Sequence, residues 1–323
     1  MVYPSILQNR RCIAAISATA LMLATACTGT HGSESPAQPH HTVTHSQGIT
    51  TTSTIPNRIV ALSTSWADSV RAFNLEPVGI GVLTGYAPEN GRFPWQGDYE
   101  AVPIALSLLG DPDFEAIAAT APDLILADFS ARNRSVYDRL SEIAPTIAPL
   151  SASGYVDSWH EQTRVLGSIL NRSADAENLI AGVDASLARA RASIPCLGDS
   201  SFLLATLNSD TIGVVADPRD PAAELLAELG MELLPAVTDL AGGKTRLTVS
   251  YEQSPLLFGA DVTLLRDRDR DRDRDEFQGF STGRTVFLDG ALATALSDPS
   301  VQNVEYVLDE LAPELEALCA AGR

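Results

Sequence analysis

Basic residues are scarce in this chain: 22 Lys and Arg stand against 41 Asp and Glu, a formal net charge of −19 at pH 7. That balance excludes nucleic acid and anionic lipid as electrostatic partners, and otherwise serves solubility. Histidine is scarcer still, with five in 323 residues, and His31, His40, His41 and His45 all stand near the N-terminus. His160 is left as the single histidine of the longer C-terminal part, in a segment that reads as helix. A zinc or manganese site of several imidazoles and carboxylates is therefore excluded. Haem is disfavoured for want of a histidine ligand, although Tyr86 or Tyr155 could ligate iron. No Gly-x-Ser-x-Gly elbow and no Ser-His-Asp set appear, and Gly79-x-Gly81 lacks the third glycine of a dinucleotide turn. Catalysis is not expected, a secreted lipid-anchored hydrolase being the alternative of a different class. The N-terminal apolar run is also too short for a membrane span, which needs about 20 apolar residues.

What is present begins with an export leader. Arg10 and Arg11 precede an uncharged stretch over 12–26 that ends Leu23-Ala24-Thr25-Ala26, followed by Cys27. A basic region, an apolar region and small residues at a cut make a signal peptide over 1–26. The cysteine directly after them predicts cleavage behind Ala26, with diacylglycerol on the Cys27 thiol and an acylated new N-terminus. Such chains hold a protein to a membrane at ~0.8 kcal/mol per buried methylene. The paired arginines leave general and twin-arginine export both open. Residues 27–54 are rich in Thr, Ser, Gly, Pro, Gln and His, and predict a disordered tether. Cys12 leaves with the leader, so Cys196 and Cys319 remain for the folded part. An exported chain can oxidise that pair; the alternative is two buried thiols.

From residue 55 the chain alternates strands and helices in two halves. The first, 55–155, predicts strands at 58–62, 77–82 and 124–127, with helices at 66–74, 113–119 and 135–144. A helical region over 156–195 follows, with helices at 156–170 and 174–193. The second half, 196–323, predicts strands at 201–207, 211–215, 262–265 and 285–288, and helices at 222–229, 251–258 and 301–320. This is an α/β architecture of parallel sheets covered on both faces. Two such halves leave a cleft between them, where the carboxyl ends of strands collect ligands.

Arg58-Ile59-Val60-Ala61-Leu62-Ser63, then Leu75-Glu76-Pro77-Val78-Gly79-Ile80-Gly81, resembles the opening of solute-binding proteins of iron–siderophore ABC importers. Phe114-Glu115-Ala116-Ile117-Ala118-Ala119 with Ala121-Pro122-Asp123-Leu124-Ile125-Leu126, and Ile143-Ala144-Pro145-Thr146, continue the likeness. Val249-Ser250-Tyr251-Glu252-Gln253 and Gly259-Ala260-Asp261-Val262 repeat the helix-then-strand pattern in the second half. The resemblance implies two Rossmann-like lobes joined by a long rigid helix, with a ligand cleft between them. It implies a monomeric lipoprotein on the extracytoplasmic face of the cell membrane, without a cofactor of its own. Such a receptor captures a ferric siderophore or ferric citrate, or alternatively haem or cobalamin, for an ABC permease and its ATPase. Glu115 and Glu252 match the positions that dock on permease arginines.

An anionic iron chelate calls for guanidinium groups and aromatic walls. The candidates beside predicted strand ends and cleft loops are Trp66, Tyr86, Trp95, Arg132, Arg134, Tyr155, Arg219, Lys244 and Arg246. The Arg-Asp alternation over 266–275 departs from the family, where a short packed helix is usual. With nothing apolar to bury, it predicts a solvated loop or a frayed helix.

Overall fold

A computed structural model describes residues 41–85, 88, 92–107, 110–127, 129–151, 156–267 and 284–321. The expected signal peptide, Cys27, Tyr86, Tyr155 and the Arg-Asp repeat from 268 onward lie outside the described residues.

Two strands precede the expected folded part. β1 (His41–His45) and β2 (Gly48–Thr52) pair antiparallel, His45 facing Gly48 across the turn. Val43, His45, Thr50 and Thr52 point inward and are buried, while their neighbours stay largely outside. This corrects the tether expected to run to residue 54: residues 41–52 are an ordered hairpin. The alternation was hidden because three of the four inward residues are polar. His45 and Thr50 are held by hydrogen bonds: His45 Nε2 lies 2.8 Å from Thr50 Oγ1, which donates to the Thr146 carbonyl at 2.7 Å.

The first lobe is a five-stranded sheet in the order β5-β4-β3-β6-β7. Its strands are β3 (Ile59–Ala61), β4 (Gly79–Leu83), β5 (Val102–Leu106), β6 (Leu124–Leu126) and β7 (Thr146–Ile147). Every pairing is parallel. β3 and β6 are buried throughout, as strands covered on both faces must be. Ile59 and Ala61 pack with Trp66 and Val70 of α1 (Thr64–Ala72) on one face. Val60 and Leu62 pack on the other with Ile117 of α2 (Phe114–Ala119) and Leu140 of α3 (Arg134–Ile143). Short polar caps set the helix starts. Ser63 Oγ accepts the Trp66 N–H at 3.1 Å, and Asp113 accepts the Ala116 N–H at 2.9 Å.

α4 (Trp159–Ile169) and α5 (Ser173–Ser193) carry the chain to the second lobe. There β8 (Ser201–Leu207) is central. β9 (Thr211–Val215) and β11 (Arg246–Ser250) lie to one side, β12 (Val262–Asp267) and β13 (Arg284–Leu288) to the other, and β10 (Glu232–Leu233) joins the start of β8. β10, β12 and β13 run parallel with β8, but β9 is antiparallel to both β8 and β11. The expectation of a second parallel sheet is thus corrected. Asn208-Ser209-Asp210 is far too short for a parallel crossover and permits only a hairpin.

α6 (Pro221–Glu228), α8 (Gly290–Ser297) and α9 (Asn303–Ala321) cover one face with α5, around Phe202, Leu204, Val262 and Leu264. α7 (Pro235–Ala241) and a 3-10 helix over Tyr251–Leu257 cover the other, around Leu203, Ala205 and Leu265. The short helix expected over 251–258 is thus 3-10 in type. It carries Pro255, which has no N–H to donate and keeps the helix short. Cys196 and Cys319 form a disulfide with Cα atoms 5.7 Å apart, stapling the turn after α5 to the last helix. Among the described residues no helix is long and apolar enough to cross a membrane.

Candidate functional site

A cavity of about 390 Å³ opens where strand ends of the two sheets meet. The first lobe contributes Leu62 and Ser63 after β3, Gly81 to Leu83 of β4, Leu106 of β5 and Ala127 after β6. The second contributes Thr206 and Asn208 at the end of β8, Val214 and Val215 of β9, Arg266 of β12, and Arg246 to Thr248 of β11. In the first lobe, parallel strands that end together leave the loops and helix starts beyond them to form the wall. In the second, the wall takes the end of β8, the end of the antiparallel β9 and the start of β11. Gly81 is required there. A Cβ on it would lie 2.5 Å from Leu106 Cδ1 and 2.7 Å from the Leu62 carbonyl oxygen.

The wall mixes apolar faces with hydroxyls, amides and a few charges. Trp66 lines it from the first turn of α1 and is 1% exposed. Asp157 accepts the N–H groups of Leu150 and Ser151 at 2.8 and 2.9 Å, and burial raises its carboxyl above the usual range. Asp298, just past α8, is half-buried. Desolvation pushes its carboxyl up to about 6, against the opposing hydrogen bonds from Ser65. Arg246 is held bidentate by the buried Asp220 at 2.7 and 2.9 Å and also donates to the Ser297 carbonyl at 2.7 Å. Trp66 Nε1, Gln162 Oε1 and Asp298 Oδ1 are buried atoms without a hydrogen-bond partner.

Behind the cavity a second polar group joins the lobes. Asp68 of α1 is fully buried and accepts from Trp95 Nε1 at 2.9 Å, Gln96 Nε2 at 3.2 Å and Ser300 Oγ at 2.7 Å. Burial pushes its carboxyl up to about 7, those three hydrogen bonds pulling the other way.

Of the ligand candidates read from sequence, the cavity brings together Trp66 and Arg246. Trp95 stacks on Phe93 and packs against Tyr306 at 5.1 Å, serving the join between lobes. Arg132 donates to the Ser151 carbonyl at 3.2 Å. Arg134 pairs with Asp138 one turn on, Arg219 folds back on Asp217 at 2.7 Å, and Lys244 is exposed after α7. None of these five is part of the wall. Sequence reading missed Asp157, Gln162, Asn208, Arg266 and Asp298. Asn208 alone carried a signal, as the polar residue closing a strand. Glu115 and Glu252 are both exposed, each in the first turn of its helix. No group of three or more His, Cys, Asp or Glu among the described residues could hold a metal ion.

Comparison with known proteins agrees with this geometry. The chain is 25% identical over 213 residues to the putative ABC transporter substrate-binding lipoprotein YhfQ of Bacillus subtilis, covering 65% of this chain and 63% of that one. It is 27% identical over 171 residues to the Fe(3+)-citrate-binding protein YfmC of Bacillus subtilis, 51% of each chain. The match thus spans about half to two thirds of the length of these relatives. A periplasmic solute binding protein from Mycobacterium smegmatis superposes with a TM-score of 0.71 at 25% identity, covering 86% of this chain and 98% of that one. Residues 59–254 match the periplasmic binding protein family model, and with its two-sheet fold the chain belongs to that family.

Proposed function

We propose that this chain is an extracytoplasmic receptor that captures a ferric siderophore or ferric citrate and delivers it to an ABC importer. The observation that carries the reading is the cavity between the two sheets, lined by strand ends of both and by Trp66. Relatives whose names give ABC substrate binding and Fe(3+)-citrate binding support it. Acylation of Cys27 would tether the receptor beside its permease, and the exposed Glu115 and Glu252 would be read by permease cations. Exposed ion pairs are weak one by one, so this pair serves orientation and encounter rate more than affinity.

Trp66 supplies the test. Titration of the purified protein with a panel of ferric hydroxamate, catecholate and citrate complexes should quench tryptophan fluorescence saturably for at least one of them. A flat response to the whole panel, with no chelate retained on purification from iron-starved cells, would overturn the proposal.

A further inference from the structure

We infer that the cavity takes a ferric chelate of zero or positive net charge, of the trihydroxamate class, in preference to a polyanionic catecholate or citrate complex. This rests on the iron-chelate reading above and deepens it. Four charged side chains line the cavity among the described residues: Asp157, Arg246, Arg266 and Asp298. Arg246 is matched at once by Asp220 through two short hydrogen bonds. Three carboxylates therefore surround two guanidiniums. Among the described residues the positive lining that a polyanion needs is not assembled, because Arg132, Arg134, Arg219 and Lys244 stand outside the wall. A polyanion in the cavity would also face Asp157 and Asp298, and like charges brought together across an interface are strongly unfavourable.

The buried polar atoms left unmatched in the wall point the same way. Gln162 is 2% exposed, and its Oε1 has no hydrogen-bond partner; neither has Oδ1 of Asp298. Buried acceptors left unmatched favour a ligand that carries donors. Trihydroxamates meet both demands. Three ionised hydroxamates cancel the charge of Fe(III), and the linkers between them carry amide N–H groups or end in an ammonium. Catecholates and citrate leave an excess of ionised oxygens around the same ion. The unpartnered Trp66 Nε1–H suits a hydroxamate oxygen as its acceptor.

The test is a charge series on the purified protein at one ionic strength: ferrioxamine B (cationic), ferrichrome (neutral), ferric citrate and ferric enterobactin (both anionic). Both trihydroxamates should bind at least about tenfold more tightly than either anion. Asp298→Asn should weaken ferrioxamine B about tenfold and ferrichrome much less. Anions that bind as tightly as the trihydroxamates, or more so, would overturn the inference while leaving the iron-chelate reading intact. Equal weakening of both trihydroxamates by Asp298→Asn would overturn the part given to that carboxylate. If none of the four complexes bound, the iron-chelate reading itself would fall. Should Asp298→Asn not fold, the unmodified protein still decides by the order of its four affinities.

Discussion

The two lobes share one local device and differ in almost everything built on it. In the first, Asp113 caps α2, Glu115 stands exposed in its opening turn, and Asp123 accepts the N–H groups of Asn57 and Arg58 ahead of β3. In the second, Ser250 caps the 3-10 helix, Glu252 stands exposed in its opening turn, and Asp261 accepts the N–H and hydroxyl of Ser201 where β8 starts. Each lobe thus caps a short helical turn with a side-chain oxygen and fixes the start of its central strand with a carboxylate. Beyond that the first sheet is wholly parallel, while the second is mixed and stapled by Cys196–Cys319. None of the duplicated carboxylates lines the cavity. What is repeated therefore belongs to the outer surface and the strand starts, and what differs forms the wall of the cavity.

The largest effect should come from breaking the repeated part. Reversing Glu115 and Glu252 together to arginine should abolish iron uptake in cells that depend on this receptor. Chelate affinity should stay within about twofold, since neither residue is in the wall. Each single reversal should leave partial uptake. If one alone abolished uptake, the lobes would not be equivalent in docking; if affinity fell in parallel, docking would be the wrong role for both.

Removing the staple tests the asymmetry. Serine at Cys196 and Cys319 together should destabilise the protein by about 2–5 kcal/mol, because the bridge closes a long loop. Hydrogen exchange should report the loss in α5, α9 and β8, with β3 and β6 unchanged. Equal loosening of both sheets would mean that the lobes unfold as one unit.

A smaller contrast lies in two glycines of the wall. Gly81→Ala in the first lobe meets Leu106 at 2.5 Å and Leu62 backbone at 2.7 Å, an overpacking worth about 1–3 kcal/mol. Gly213→Ala in the second meets nothing nearer than Asn208 Nδ2 at 3.8 Å. It should leave the melting temperature nearly unchanged. A larger loss at Gly213 than at Gly81 would reverse the view that the first lobe makes the tighter half of the wall.

The sequence announced the lobes more clearly than the site. Ser63 and Asp113 caps, the apolar strands at 59–62 and 124–126, and the paired Asp123 and Asp261 are local signals, and each acts where it stands. The wall is not local. Arg219 follows a strand end, as a ligand residue should, yet Asp217 two residues away draws its guanidinium back. Arg134 begins a helix and so meets Asp138 one turn on. Asp298 enters the wall only because α8 ends beside α1 of the other lobe, a juxtaposition that no spacing along the chain encodes. The hairpin was missed for a chemical reason: its buried side carries Thr and His, which a hydrophobic pattern does not register.

That hairpin yields the smallest and most local prediction, and a second asymmetry between lobes. His45 is buried, its Nδ1 accepts the Gln47 N–H at 3.2 Å, and its Nε2 lies 2.8 Å from Thr50 Oγ1. Thr50 gives its own proton to the Thr146 carbonyl, so His45 must be the donor in that contact and must be neutral. Burial lowers its pKa from 6.5. Stability from a depressed histidine is present above the unfolded value and lost as pH falls through the folded one. Asp68 and Asp298 titrate with the opposite sign: their raised carboxyls favour the folded state as pH falls from about 7 toward about 4. A global melt would mix the two, so the readout must be local. Hydrogen exchange across 43–50 should quicken severalfold from about pH 7 to about pH 5, after correction for intrinsic rates, while α1 beside Asp68 becomes better protected. His45→Gln should remove the first change and leave the second. If the hairpin instead gained protection on acidification, His45 would not be the group that holds it to the first lobe.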